Sequence, residues 1–243
     1  MASATVATKT ITVTGEVQMT GMQKMASKMW APWIAMGLMI VVVSFIVGLV
    51  MSGQASDWWS FSKVDREAAT AGTSIVGSKV FIESTKAWLP GFKFFGLGMM
   101  LGGITFLLAT ILGNLRLAGG NVQRALGAEV KLPVPPMTAK LFPMLMMMGM
   151  MMLMVAFGVS IWLGVVAADY WNHSIATELN PAQAGSALLG KIQAINATNA
   201  WLTPFKFLGM AFLFSSIALA LVTIVTVLRF QSRRLLELLG PHA

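Results

Sequence analysis

The chain lacks cysteine altogether, has a single tyrosine and two histidines, and carries charge on only 11% of its 243 residues. Without cysteine there is no disulfide framework, no thiolate or iron–sulfur ligation and no cysteine nucleophile. The two histidines, His173 and His242, fall in segments that the charge pattern assigns to opposite sides of a membrane. One chain therefore cannot build a bis-histidine haem site, and a zinc or copper site would need ligands from elsewhere. Paired carboxylates, a Ser/His/Asp set and a phosphate loop are also missing. Gly119-Gly120-Asn121 follows Arg116 as a helix end, with no strand before it and no Lys-Ser/Thr after it. These absences argue against an enzyme and point to no cofactor and no metal.

The scarcity of charge is the most informative absence. Soluble domains carry about a quarter charged residues, whereas this chain is 56% apolar, so lipid is its expected solvent. Its formal charge of +8 comes from basic residues beside apolar runs, not from an aromatic-interleaved patch, so nucleic acid is not an expected partner.

Four long intervals contain no charge: residues 29–56, 94–115, 141–168 and 207–228. A helix crosses the hydrocarbon core with about 20 apolar residues, so each interval holds one span. Runs this long without period-two alternation favour helices over barrel strands. Orientation follows from Lys and Arg, which cytoplasmic segments retain. Lys9, Lys24, Lys28, Arg116, Arg124, Lys131, Lys140, Arg229, Arg233 and Arg234 lie on one side with only Glu16, Glu129 and Glu237, while the other side is nearly balanced. Both termini are therefore expected to be cytoplasmic, in a plasma (inner) membrane or an internal membrane continuous with it. The first apolar run loosely imitates a signal peptide ending at Gly53-Gln54-Ala55, but it is too long for one and a second copy follows.

That second copy belongs to an internal duplication. Trp88-Leu89-Pro90-Gly91-Phe92-Lys93-Phe94-Phe95-Gly96 recurs as Trp201-Leu202-Thr203-Pro204-Phe205-Lys206-Phe207-Leu208-Gly209, and Leu115-Arg116 recurs in register as Leu228-Arg229. Upstream, Lys28, Gly37, Phe45, Asp57, Trp59 and Ser62 match Lys140, Gly149, Phe157, Asp169, Trp171 and Ser174. In the external segments Ala71-Gly72 and Gly77 match Ala184-Gly185 and Gly190. Each copy has two crossings, so the copies are parallel and related by a pseudo-twofold axis along the membrane normal. The expected fold is an all-α integral membrane protein of four transmembrane helices, arranged as two tandem parallel two-helix repeats with short helical external loops. Its parts are a cytoplasmic amino-terminal segment (1–28), repeat 1 (29–116), a cytoplasmic linker (117–140), repeat 2 (141–229) and a cytoplasmic tail (230–243). Met19, Met22, Met25 and Met29 follow helical spacing and suit an interfacial amphipathic helix in the first segment. Pro133, Pro135 and Pro136 make the linker extended, and Asn180-Pro181 marks an external turn.

Several residues stand out. Lys93 and Lys206 sit at equivalent span ends, each between phenylalanines. They are expected to snorkel to the headgroups, with an anion or quinone-headgroup contact as the functional alternative. Asp57 and Asp169 end the first and third spans and are expected to pair with Lys93 and Lys206. Trp58, Trp59, Trp88, Tyr170, Trp171 and Trp201 read as interface aromatics. Gly98 and Gly102, matched by Ala211 and Ser215, read as small-xxx-small helix-packing positions that bring the second and fourth spans together. The run from Met144 to Met154 could offer soft ligands to Cu(I), but its side chains go all round a helix, so adaptable packing is the simpler reading.

The expectation for function is a non-catalytic structural or accessory subunit of a larger membrane complex, or a self-assembling scaffold. Its partners are then lipids and other membrane subunits or further copies of itself. A small-solute channel or transporter acting as an oligomer is the alternative, and a copper-handling membrane component a third.

Overall fold

A computed structural model describes residues 10–13, 17–175, 177 and 187–240 and is nearly all helical. Its helices are α1 (Gly21–Ser60), the short α2 (Lys63–Ala68), α3 (Ser74–Ala125), α4 (Met137–Trp171) and α5 (Ala187–Leu239). Strand β1 (Thr10–Thr12) pairs antiparallel with β2 (Lys131–Pro133). All of these except α2 and the strands are long and apolar enough to cross a membrane. Lys9, Glu16, the Asn180-Pro181 turn, Ala184-Gly185 and His242 lie outside the described residues.

At 1.5 Å rise per residue α3 and α5 are each about 80 Å long, against a hydrocarbon core of about 30 Å. They therefore run far past their uncharged intervals and absorb much of the sequence expected to form external loops. Met22, Met25 and Met29 likewise belong to the first turns of α1, with no break before the apolar stretch.

Pro32, Pro90, Pro143 and Pro204 interrupt the hydrogen-bond ladders of the four long helices. Each lies within about one turn of the first residue of an uncharged interval, where headgroups and water can reach the carbonyl freed four residues earlier. Helix ends are closed locally. Thr20 and Gln23 form a reciprocal capping box at α1, with Thr20 N–H donating to Gln23 Oε1 at 3.0 Å and Gln23 N–H to Thr20 Oγ1 at 3.4 Å. Ser62 caps α2 by accepting from the Asp65 N–H at 3.1 Å. Gly127, at φ 68°, ends α3 while Ala128 N–H donates back to Gln123.

The chain divides into two compact units, the first from Met1–Ile34, Leu101–Met147 and Phe212–Ala243, the second from Ala35–Met100 and Met148–Ala211. In the first unit, polar side chains tie helices together. Ser216 Oγ donates to Phe142 O at 2.6 Å, Thr138 and Thr223 hydroxyls share a 2.8 Å bond, and Gln231 Nε2 donates to Leu115 O at 2.6 Å. Gln123, buried, holds β2 at both sides of Lys131, accepting from its N–H at 2.8 Å and donating to its carbonyl at 3.1 Å. In the second unit, glycines set the helix crossings. A Cβ on Gly37 would lie 2.7 Å from Gly96 O, and one on Gly209 would lie 3.1 Å from the Leu153 side chain. Aromatic rings fill the space beside these crossings, with Phe95 stacked on Phe157 at 5.2 Å and Phe94 edge-on to Phe207 at 5.2 Å.

Candidate functional site

The two matched lysines lie deep inside α3 and α5, about five turns from the first residue of each helix. Three residues beyond Lys93, Gly96 touches Ile40 and Gly37, which belong to the interior of the uncharged stretch of α1. Three residues beyond Lys206, Gly209 touches Leu153 and the Gly149 carbonyl, inside the uncharged stretch of α4. Both lysines are thus level with apolar neighbour helix, at a depth where charge is costly. Their surroundings differ sharply. Lys93 is exposed, while Lys206 is 4% exposed and its ammonium has no hydrogen bond or ion pair among the described residues. On α4, Ser160 Oγ is a buried polar atom without a partner among the described residues; it packs against Gly91 of α3.

The pairs expected from the sequence do not form. Asp169 pairs with Lys191, which lies about 22 Å up α5 from Lys206 at the helical rise. The carboxylate follows the uncharged interval directly, and its hydrogen bond to Lys191 holds its pKa below the usual carboxylate range. Asp57 is exposed and makes no ion pair among the described residues. The reason is register: each Asp is about 30 Å beyond the glycine crossing of its helix, while each Lys is only about 4.5 Å from it.

The aromatics near the start of α3 do more than mark an interface. Arg66 stands 4.5 Å from the Trp59 ring and 5.7 Å from that of Trp58. Lys79 stands 4.2 Å from Trp171 and 5.7 Å from Trp58. These cation–π contacts make a cationic aromatic cluster around two open cavities of about 270 and 250 Å³. Tyr170 is buried edge-on to Trp171, and its carbonyl contacts His173 Nδ1 at 2.9 Å. Trp88 stacks edge-on to Phe92 and packs on Gly164, whereas Trp201 is largely exposed beside Phe205. Nothing in the spacing of Arg66 or Lys79 signals these contacts, because α2 folds back onto Trp58 only in three dimensions.

The small-residue positions separate as well. Gly98 and Gly102 are buried, with Gly102 against Trp33 of α1, while Ala211 and Ser215 face outward. The buried hydroxyl on that helix is Ser216, bonded to α4. Among the methionines, Met144, Met147, Met148, Met151 and Met154 are exposed, and Met146 and Met150 are buried. Among the described residues no three His, Asp or Glu side chains gather where they could hold a metal ion.

Compared with known proteins, the chain matches no family model, no curated protein and no solved structure.

Proposed function

We propose that this chain is a non-catalytic structural or accessory subunit of a larger membrane protein complex, or a scaffold that assembles with itself. It is built as two tandem parallel two-helix repeats with both termini cytoplasmic, in a plasma (inner) membrane or an internal membrane continuous with it. The observation that carries the reading is Lys93: an ammonium facing out of the fold, level with the apolar interior of α1. An outward charge at that depth is costly against lipid and is relieved by a polar group on a neighbouring subunit. Two further features support docking. Ala211 and Ser215 offer a small outward face of the kind that lets another helix approach closely, while their sequence counterparts are already covered. Only 11% of the most apolar stretch of α1 is buried, against 50% for α3. The matched glycine crossings, Gly37 with Gly96 and Gly149 with Gly209, support the repeat.

The test is native mass spectrometry of the tagged chain extracted in mild detergent from its own membranes. Defined partner chains, or further copies, should accompany the wild-type protein, and Lys93→Met should lose them while its helical circular dichroism is unchanged. Full retention of every partner by Lys93→Met would remove the basis of the proposal.

Lys206 favours a second reading, an oligomeric channel or transporter for a small anionic solute, because an ammonium on a largely buried side chain, with no counter-charge among the described residues, can receive one. Anion flux from the purified chain in liposomes, lost in Lys206→Met, would favour that reading over the first.

A further inference from the structure

A second cationic site lies at the other end of the uncharged intervals. Arg116 immediately follows the interval 94–115 and Lys140 immediately precedes 141–168, so both belong to the level at which apolar helix gives way to headgroups. In the fold they line one cavity of about 220 Å³, together with Gln23, Leu112, Ala139 and Phe142. We propose that this cavity binds the phosphate-bearing headgroup of an anionic phospholipid, with the acyl chains lying outside it along the helices.

Charge is the first argument. Among the described residues two cations line the cavity and no acidic side chain does. One terminal guanidinium nitrogen of Arg116 donates to Pro133 O at 3.3 Å, and the other makes no hydrogen bond among the described residues. A planar guanidinium with a donor left over suits a phosphate oxygen, and Lys140 adds a point charge beside it. Size is the second. The volume is below the roughly 300 Å³ at which pockets for whole small molecules begin, so a headgroup fits and a whole amphiphile does not. The walls are the third. Leu112, Ala139 and Phe142 are apolar, which suits the glycerol region of a lipid and penalises a free, strongly hydrated phosphate. Rigidity is the fourth. The Thr20–Gln23 capping box fixes one wall, and Gln123 with the β1–β2 pair fixes the segment leading to Pro133, so little order is lost on binding. The site rests on the chain being in a membrane but needs no partner subunit, so lipid retention is scored on the single chain whatever accompanies it.

The experiment is native mass spectrometry of the purified full chain in mild detergent, titrated separately with dioleoyl phosphatidylglycerol, dioleoyl phosphatidylcholine and inorganic phosphate. Retention of the anionic lipid should exceed that of the zwitterionic one roughly thirtyfold, as expected for two basic residues at a membrane surface. Arg116→Gln with Lys140→Gln should remove the excess, and so should Ala139→Phe, which fills the cavity without changing charge. Lys28→Gln with Arg229→Gln removes the same charge at the matching repeat positions, which do not line the cavity, and should keep the excess. If the Arg116 variant does not fold, Lys140→Gln alone should lower the preference about fivefold. Equal retention of the two lipids, or a preference that survives Ala139→Phe, would overturn the proposal. Displacement of the lipid by millimolar inorganic phosphate would replace it with a free-anion site.

Discussion

A lysine ammonium taken out of water without a counter-charge opposes folding, because the desolvation it suffers is not offset by any attraction. The Lys206 side chain is 4% exposed and has no counter-charge among the described residues, whereas Lys93, at the matching place in α3, is exposed and in detergent can snorkel to water. Lys206→Met should therefore raise the thermal stability of the isolated chain in detergent, by about 1–4 kcal/mol on the experience of buried charges replaced by apolar side chains. Lys93→Met should leave the isolated chain close to wild type. A loss of stability in Lys206→Met would mean that the ammonium holds a ligand carried through purification, and would move weight to the transport reading. Burial of one lysine and exposure of the other was not legible in the sequence, where both have the same Phe-Lys-Phe setting. The difference arises from which neighbours cover each face.

Helix crossings are decided at the scale of the element. Gly37 lies so close to the backbone of α3 that an added Cβ would meet Gly96 O at 2.7 Å and Met100 N at 2.8 Å, and backbone cannot rotate away. Gly37→Ala should cost about 1–3 kcal/mol as an overpacked contact, read as a lower melting temperature in detergent. Gly48→Ala, with nothing within 4 Å, should show no loss. Gly209→Ala should fall between them, since its nearest neighbour is the Leu153 side chain at 3.1 Å and the Gly149 carbonyl stands off at 3.3 Å. That four spanning helices exist was legible in the uncharged intervals. Where they end was not, because a charge ends the stretch that lipid tolerates without ending the helix. The segments 74–86 and 187–199 are polar enough to leave the hydrocarbon and still keep their backbone hydrogen bonds, so α3 and α5 continue through them.

For the whole molecule, topology is the property that function depends on most and can be tested cleanly, because the chain has no cysteine of its own. Thr70→Cys, between α2 and α3, should react with an impermeant maleimide applied to intact cells. Ala125→Cys, at the end of α3, should react only after the membrane is opened, as the excess of Lys and Arg on its side requires. The reverse pattern would invert the proposed orientation and move the Arg116–Lys140 cavity to the outer face.

The sequence by itself determined the solvent and the number of long apolar helices, since a chain with four long intervals free of charge can satisfy their backbone in lipid only as helices. It also displayed the matched glycines and lysines, which recur at a nearly constant offset. Tertiary structure alone decided which member of each pair is covered, which carboxylate meets which lysine, and that Arg116 and Lys140 share one cavity. Those outcomes depend on helix register and crossing, which are set by contacts between residues far apart in the chain.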